Sequence, residues 1–289
     1  MTPLLRRGAE IAVIAPSGAY QPHRLEEGLR RIEAEGYRPV PFEGMLSPER
    51  YLAAPDAVRL AHLCEALTDP RWDAVWMVRG GYGLTRLLAD LPWEALPPRP
   101  VIGFSDVTAL LLPLFAAGSP VIHGPMPHSL PGTDEASVEH LFRLLAGAPL
   151  APLEGEQWVR GSATGWLAGG NLTMLASLCG TPWQPDLSGA IAVLEDVGEA
   201  PYRLDRALQQ LCSAGVLDGV AGVALGSFTS CEPPAGASWT LREVLLDHLA
   251  PLGVPVVAEL PIGHGEANRA FPFGASATLA GGRLWWAPR

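Results

Sequence analysis

The sequence has no lysine among its 289 residues, and only 17% of its residues are charged. All 20 basic residues are therefore arginine, against 30 acidic residues, and the formal net charge is −10. An acidic surface repels phosphate backbones, so we expect no nucleic-acid partner. With 48% apolar residues, the chain can bury a large core, which excludes global disorder and fits a length of about two domains.

Cysteine is also scarce, and the four cysteines form no C-x-x-C pair. We expect them to be reduced and buried rather than joined in disulfides. The sequence lacks an H-E-x-x-H motif, and His123 and His128 stand five residues apart across two prolines. We therefore predict neither a metal ion nor another cofactor.

A long uninterrupted apolar run is missing as well. The longest apolar stretch, around residues 108–122, is broken by Pro113, Gly118 and Pro120, which excludes a membrane span. Near the N-terminus, the run Ile11–Ala15 is too short for the core of a signal peptide. We therefore expect a soluble, cytoplasmic protein with no membrane partner.

Short apolar runs alternate with amphipathic helical segments over the first 125 residues. The runs at 11–15, 74–78 and 101–102 are each followed by a loop that contains glycine. This alternation predicts a mostly parallel sheet within an α/β domain.

The second half of the sequence has strand-like runs separated by fewer helical segments, and it closes with a hairpin that turns at Gly281-Gly282. These features predict a mixed α/β domain with more antiparallel content. We place a linker at about 145–160, between an N-terminal domain over 1–150 and a C-terminal domain over 160–289.

Ser105 lies between an apolar strand and an apolar helix, with Gly103 two residues before it. This arrangement is typical of a nucleophile elbow, in which a tight strand-to-helix turn holds the serine Oγ out of the sheet. Amides at the start of the helix then face an oxyanion that forms during acyl transfer. The usual hydrolase pattern has glycine two residues after the serine, where this sequence has Val107. The alternative is that Ser105 or Asp106 only caps the helix.

The segment Arg79–Gly83, with the sequence RGGYG, directly follows a predicted strand. Its three glycines permit close approach of the backbone to a ligand, or supply an amide donor. A dinucleotide site is excluded because Arg86 stands at the third glycine position of the G-x-G-x-x-G pattern. The alternative is a turn that requires positive φ angles.

Acidic residues and a histidine in the second half complete the set of candidate catalytic groups. Glu195 and Asp196 close an apolar strand, and Glu199 follows four residues after Glu195. An acid in this position could orient a histidine, whereas an exposed acidic loop is the alternative. His264 is flanked by glycines, which leaves its ring accessible as a general base, although a structural histidine fits the same pattern.

Together and in this order, these segments resemble the LD-carboxypeptidase, or muramoyltetrapeptide carboxypeptidase, family of serine peptidases. The resemblance extends over nearly the whole chain and consists of seven blocks: Ala15–Ser17, Arg79–Gly83, Gly103–Thr108, His123–Pro125, Gly169–Leu172, Leu194–Asp196 with Asp205-Arg206, and Gly263–Gly265 with Asn268 and Pro272–Gly274.

The resemblance implies a catalytic triad of Ser105 as nucleophile, His264 as general base and Glu195 as the acid that orients the histidine. Glu199 is the fallback for that acid. The backbone amides of Gly81 and Asp106 match the family's oxyanion hole. The candidate substrate-binding residues, among which no single clamp for the substrate carboxylate stands out, are Arg79, Gly80, His123, Asn171 and Arg203.

The resemblance also implies a fold, a substrate and an assembly. The N-terminal parallel-sheet domain is expected to resemble class I glutamine amidotransferases, and the smaller C-terminal domain to be mixed α/β or barrel-like. The expected activity is release of the terminal D-alanine from a cytoplasmic murein tetrapeptide in cell-wall recycling, by a homodimer. The alternatives are a microcin-immunity-type peptidase that cleaves a peptide-nucleotide antibiotic, a Ser-Glu-His esterase, and a small-molecule binding protein without catalysis.

Overall fold

The computed structural model describes residues 3–287, which form fourteen strands and seven α-helices. The strands are β1 (Glu10–Ile14), β2 (Arg38–Pro41), β3 (Ala74–Met77), β4 (Val101–Gly103), β5 (Val121–His123), β6 (Leu153–Glu154), β7 (Glu156–Val159), β8 (Ser162–Asn171), β9 (Ala190–Val197), β10 (Gly222–Thr229), β11 (Val256–Ala258), β12 (Phe271–Pro272), β13 (Ser276–Ala280) and β14 (Arg283–Trp286). The helices are α1 (Pro22–Ala34), α2 (Asp56–Thr68), α3 (Thr108–Ala116), α4 (Glu135–Leu145), α5 (Leu172–Leu178), α6 (Pro201–Ser213) and α7 (Leu241–Leu249).

The chain divides into two compact units. The first comprises Met1–Ala148 and Arg269–Phe271, and the second comprises Pro149–Asn268 and Pro272–Arg289. Within residues 3–287, every helix is too short or too polar to cross a membrane.

The first unit is built on a sheet with the strand order β12-β5-β4-β3-β1-β2. Strands β1 to β5 all pair in parallel, which confirms the predicted parallel α/β domain. All residues from Ile11 to Ile14 and from Ala74 to Met77 are fully buried. Since successive side chains of a strand point to opposite faces, both faces of β1 and β3 are covered, which explains why these strands are continuous apolar runs.

The strand order reverses between β1 and β3. In open parallel sheets, ligands bind at the carboxyl edge of the strands beside such a reversal. The loops that follow β1, β3 and β4 all leave the sheet at this edge. The topology therefore brings together three segments that the sequence analysis selected separately: 15–18, 79–83 and 103–108.

The second unit contains an eight-stranded sheet in the order β6-β14-β13-β8-β9-β10-β11-β7. Its centre, from β8 to β11, is parallel, and its flanks are antiparallel. The two end strands, β6 and β7, are separated in the chain only by Gly155. The sheet must therefore curl until its ends approach each other, which confirms a mixed, barrel-like second domain.

The boundary between the two units lies after Ala148, inside the segment 145–160 where we placed the linker, although part of that segment forms β6 and β7. These strands have two to four residues, which is too short to give a visible alternation. The expectation that the cysteines are buried needs correction. The four cysteines carry free thiols, but only Cys231 is buried and the other three are half-buried. Cys64 and Cys212, for example, lie on α2 and α6 at the margin of their apolar faces.

Candidate active site

Ser105 occupies a sharp turn between β4 and α3. Phe104 is extended, and Ser105 then adopts φ +65° at the start of a single 3-10 turn, Ser105–Val107, that leads into the helix. A left-handed backbone costs roughly 1–2 kcal/mol for an L-residue, so it persists only where the surrounding structure imposes it. A nucleophile elbow requires a constrained backbone of this kind, whereas a simple helix cap does not.

The glycine-rich loop after β3 packs directly against this turn. A Cβ on Gly80 would stand 2.7 Å from Ser105 Cβ and 2.8 Å from Ser105 Oγ. Gly80 in turn accepts a hydrogen bond from the Gly18 amide, with an N–O distance of 3.0 Å. The loops after β1, β3 and β4 are therefore in contact with one another, and only a residue without a side chain fits at position 80.

The side chain of Asp106 connects the same three loops. Its Oδ2 accepts hydrogen bonds from Ser17 Oγ at 2.6 Å and from the Leu84 amide at 3.1 Å. Burial raises the pKa of this carboxyl above its ordinary value, although the hydrogen bonds oppose the rise. From the sequence, Asp106 was a candidate for its backbone amide or as a helix cap, and Ser17 had no assigned role.

A buried arginine on α2 holds two of these loops from behind. Arg59 is 1% exposed, and its guanidinium donates to the carbonyls of Pro16, Ala54 and Gly83. Arg59 was not among the residues predicted from the sequence, although its position in the helix indicates a buried charge. Arg59 lies four residues before Leu63, on the buried face of an amphipathic helix, where an unpaired charge would be costly.

His264 and Glu195 form a buried pair in the second unit. Glu195 Oε2 lies 2.6 Å from His264 Nδ1, and Glu195 is fully buried. Burial by itself lowers the pKa of His264, but the charge of Glu195 and its hydrogen bond raise it, so that the net pKa lies above the ordinary value of 6.5. Burial likewise raises the pKa of Glu195, and the interaction with His264 opposes that rise. The pair is thus arranged to stabilise an imidazolium cation.

The loop that carries His264 is fixed on both sides of the ring. The Gly263 amide donates to Asn268 Oδ1 at 3.1 Å, and the Gly265 amide donates to Ser227 Oγ at 3.2 Å. Gly263 has φ +113°, and a Cβ there would stand 2.6 Å from a carboxylate oxygen of the acid that pairs with His264. Asn268 belongs to the same family-like block as Gly263–Gly265, but the sequence assigned it no role. No motif in the sequence pointed to Ser227.

Glu199, the fallback for the triad acid, has a different partner. Its Oε2 lies 3.3 Å from Arg203 Nη1, at the start of α6. Arg203 is about half exposed, and its Nε also donates to the hydroxyl of Tyr202 at 3.2 Å. The structure therefore pairs Glu195, and not Glu199, with His264.

Asn171 caps α5 and supports the residue next to Glu195. Its Oδ1 accepts from the Met174 amide at 3.1 Å, and its Nδ2 donates to Asp196 Oδ1 at 2.9 Å. Thr173 Oγ1 donates to the other oxygen of Asp196 at 2.7 Å. These contacts give Asn171 a structural role besides the predicted substrate contact.

The remaining predicted residues lie in the first unit. Arg79 is exposed and donates to the carbonyl of Ala19, whereas Gly81 is exposed with φ +110°. His123 is fully buried, and its ring stacks on Phe271 with a centroid distance of 4.8 Å. Their substrate contacts stay predictions. Among the residues described, no three His, Cys, Asp or Glu side chains cluster as metal ligands would.

Chemically, the first unit offers a serine on a constrained turn packed against a glycine-rich loop, and the second unit offers a histidine whose Nδ1 is held by a carboxylate. These are the functional groups of acyl-transfer catalysis by a serine nucleophile.

Comparison with known proteins gives the same assignment for both units. Residues 11–124 match the LD-carboxypeptidase N-terminal domain, and residues 164–279 match the LD-carboxypeptidase C-terminal domain. The murein tetrapeptide carboxypeptidase of Pseudomonas aeruginosa is 40% identical over 295 residues, which cover 96% of this chain and 94% of that protein.

Solved structures share the fold over almost the whole chain. The crystal structure of muramoyltetrapeptide carboxypeptidase from Oxalobacter formigenes has a TM-score of 0.85 at 31% identity, covering 95% of this chain and 97% of that chain. The microcin C7 self-immunity protein MccF, in complex with aspartyl sulfamoyl adenosine, has a TM-score of 0.86 at 21% identity, with coverage of 100% and 98%. At that identity, the second likeness shows the fold alone.

Proposed function

Because this chain belongs to the LD-carboxypeptidase family and is a serine-type carboxypeptidase, we propose that it releases the terminal D-alanine from a murein tetrapeptide. The bond cut joins the L-centre of the third residue to D-alanine. The Pseudomonas aeruginosa relative, a murein tetrapeptide carboxypeptidase, supports this choice of substrate.

One observation carries the mechanistic part of the proposal, namely the 2.6 Å contact between Glu195 Oε2 and His264 Nδ1. A carboxylate on Nδ1 selects the tautomer in which Nε2 accepts a proton, and it stabilises the cation that results. The constrained backbone of Ser105 supports the assignment of this residue as the nucleophile. The mechanism requires Ser105 Oγ to come within hydrogen-bond reach of His264 Nε2 during turnover.

In the acylation step, Ser105 Oγ attacks the scissile carbonyl carbon while His264 Nε2 takes the hydroxyl proton. The amides of Gly81 and Asp106 donate hydrogen bonds to the oxyanion that forms. The imidazolium then gives its proton to the departing amine of D-alanine, and the C–N bond breaks. Water, deprotonated by the same histidine, attacks the acyl-enzyme and restores the serine hydroxyl.

A carboxypeptidase must also bind the free carboxylate of its substrate. Of the candidates, we propose Arg79. It directly precedes Gly80, whose backbone packs on Ser105, and it is exposed. Arg203 is already paired with Glu199, and the amide of Asn171 is used to hold Asp196. An arginine suits this task because its planar guanidinium can bind a carboxylate through two hydrogen bonds.

The proposed setting is the cytoplasm, where the enzyme would act on murein peptides returned for recycling, and the proposed assembly is a homodimer. Size-exclusion chromatography with light scattering tests the assembly, since a monomer mass at all concentrations would contradict it. Fractionation of cells that express the protein tests the location.

The central experiment measures D-alanine release from a murein tetrapeptide by the wild type and by Ser105→Ala, with the L,L isomer as the control substrate. We expect release by the wild type only, and none from the L,L isomer. Equal release by Ser105→Ala would refute the serine mechanism. If the folded wild type releases no D-alanine but cleaves an aminoacyl sulfamoyl adenosine, the substrate is of the microcin type and not a murein peptide.

A further inference from the structure

Two exposed tyrosines of the first unit lie against each other. The side chains of Tyr51 and Tyr82 are 56% and 44% exposed, and their ring centroids are 5.6 Å apart at an interplanar angle of 69°. Single exposed apolar residues are common on protein surfaces, but a contiguous exposed aromatic surface marks a place where something binds. We refer to Tyr51 and Tyr82 as the tyrosine pair.

Both residues of the tyrosine pair belong to loops that are connected to the Ser105 turn. Tyr82 lies two residues after Gly80, whose backbone is in contact with Ser105. The carbonyl of Tyr51 accepts a hydrogen bond from the Ala19 amide at 3.1 Å, next to the Gly18 amide that donates to Gly80. The two loops that carry the tyrosine pair are therefore anchored beside the Ser105 turn.

The distance from the nucleophile is limited by chain geometry. Two residues span at most about 7.6 Å between Cα atoms, and a tyrosine side chain adds roughly 6 Å. The contact between Gly80 and Ser105 adds roughly 4 Å, so the Tyr82 side chain ends within about 18 Å of Ser105. In a tetrapeptide cut before its last residue, three residues precede the scissile bond and extend over roughly 10–11 Å. The tyrosine pair is within reach of whatever is attached to the N-terminal end of the substrate.

The charges beside the tyrosine pair narrow the choice of ligand. The guanidinium of Arg50 stands 5.9 Å from the Tyr51 ring and is paired with Glu49 at 3.3 Å. Arg86 interacts electrostatically with both tyrosines. Its Nε donates a hydrogen bond to Asp56 Oδ2 at 2.8 Å. Arg50 is paired with Glu49, and Asp56 is shared by Arg86 and the buried Arg59, so the charges next to the two rings are largely compensated. Compensated charges suit an uncharged ring with hydroxyl groups better than they suit the phosphate of a nucleotide.

We propose that the tyrosine pair binds the sugar ring of a muramoyl peptide. The pyranose would place its C–H face on the exposed aromatic surface, and the tyrosine hydroxyls would hydrogen-bond to its polar substituents. This inference rests on the proposed function, since it assumes a murein peptide at Ser105. It adds that the enzyme distinguishes muramoyl tetrapeptide from free tetrapeptide by contacts outside the peptide.

The test compares kcat/KM for N-acetylmuramoyl tetrapeptide with kcat/KM for the free tetrapeptide, on each variant separately. We expect the wild type to prefer the sugar-bearing substrate by about tenfold, the order of magnitude of one good aromatic contact. Tyr82→Leu and Tyr51→Leu should bring the ratio close to one, because they keep apolar bulk but lose the aromatic face. Tyr82→Phe should keep most of the preference. Trp285→Leu, at an exposed aromatic residue on β14, is the matched control and should leave the ratio unchanged.

Use of a ratio separates sugar recognition from damage to the loop. A variant that loses activity equally on both substrates has a disturbed loop, and an unchanged ratio in Tyr82→Leu and Tyr51→Leu would overturn the proposal. A wild type that hydrolyses both substrates equally well would also overturn it while leaving the proposed function intact.

A binding measurement covers the case in which neither substrate is hydrolysed, so that the proposed function itself fails. The dissociation constants of the two peptides are then compared on Ser105→Ala with and without Tyr82→Leu. Tighter binding of the sugar-bearing peptide that depends on Tyr82 would support the inference, and equal binding would overturn it. Binding of an aminoacyl sulfamoyl adenosine that depends on Tyr82, without preference for the sugar, would assign the tyrosine pair to a nucleobase instead.

Discussion

Replacement of Glu195 by glutamine tests the proposed triad most directly. The substitution keeps the shape of the side chain and one possible hydrogen bond to His264 Nδ1, but it removes the negative charge. Hydrogen bonds to charged groups contribute about 1.5–3 kcal/mol, and removal of one partner of a buried pair costs about 3–5 kcal/mol. Both groups are largely buried, with 0% and 16% of their side chains exposed, so solvent screening reduces these values little.

The full cost applies in the transition state, where the imidazolium forms. At about 1.36 kcal/mol per tenfold change in rate, we expect kcat/KM to fall by about 10²- to 10⁴-fold. Glu199→Gln is the matched control. Because the carboxylate of Glu199 pairs with Arg203, its loss should change kcat by less than about threefold.

The pH profile gives a second measure of the same substitution. The net pKa of His264 is raised above 6.5 in the folded protein, and the general base must be neutral. Wild-type kcat/KM should therefore fall toward acid with a midpoint above 6.5. In Glu195→Gln, the charge that opposes burial is reduced to the contribution of Asp196, so the midpoint should move to lower pH. The reasoning would be refuted by a variant that retains a tenth or more of the wild-type activity, or by a midpoint that does not move.

Three further substitutions follow from the packing of the site. Gly80→Ala should lower kcat/KM by at least about 100-fold and cost about 1–3 kcal/mol of stability, because its Cβ would stand 2.7 Å from Ser105 Cβ; an unchanged rate of labelling by a serine-directed phosphonate would contradict this. Gly263→Ala, whose Cβ would stand 2.6 Å from Glu195 Oε2 at φ +113°, should lower the free energy of unfolding in urea by about 2–4 kcal/mol. Asp106→Asn should be more stable relative to the wild type at pH 8 than at about pH 3, which is below the ordinary pKa of an aspartate. A carboxyl whose folded pKa is raised by burial contributes stability that is lost as pH rises through that pKa, and an equal effect at both pH values would contradict the prediction.

The sequence predicted the central strands well because their physical cause is local. A strand that is covered on both faces must be apolar throughout. The sequence runs that form β1 and β3 are apolar in this way. The edge strands β6 and β7 were not predicted, because they are strands through their pairing with distant strands and not through their own side-chain pattern. Helix α7 had a visible local signal that we did not use, since Thr240 and Glu243 form a capping box at its start.

For the candidate site, the sequence by itself determined the types of group and their order along the chain: a serine in a strand-to-helix turn, acids at the end of a strand and a histidine between glycines. The family follows from that order. Tertiary structure alone decided which acid pairs with His264, because Glu195 and Glu199 are only four residues apart in the sequence. Glu195, at the end of β9, contacts His264, whereas Glu199, just before α6, contacts Arg203. Tertiary structure also decided the positions of Ser17 and Ser227, because each supports a loop from a distant part of the sequence, and a hydrogen bond between distant segments leaves no mark on the local pattern of either one.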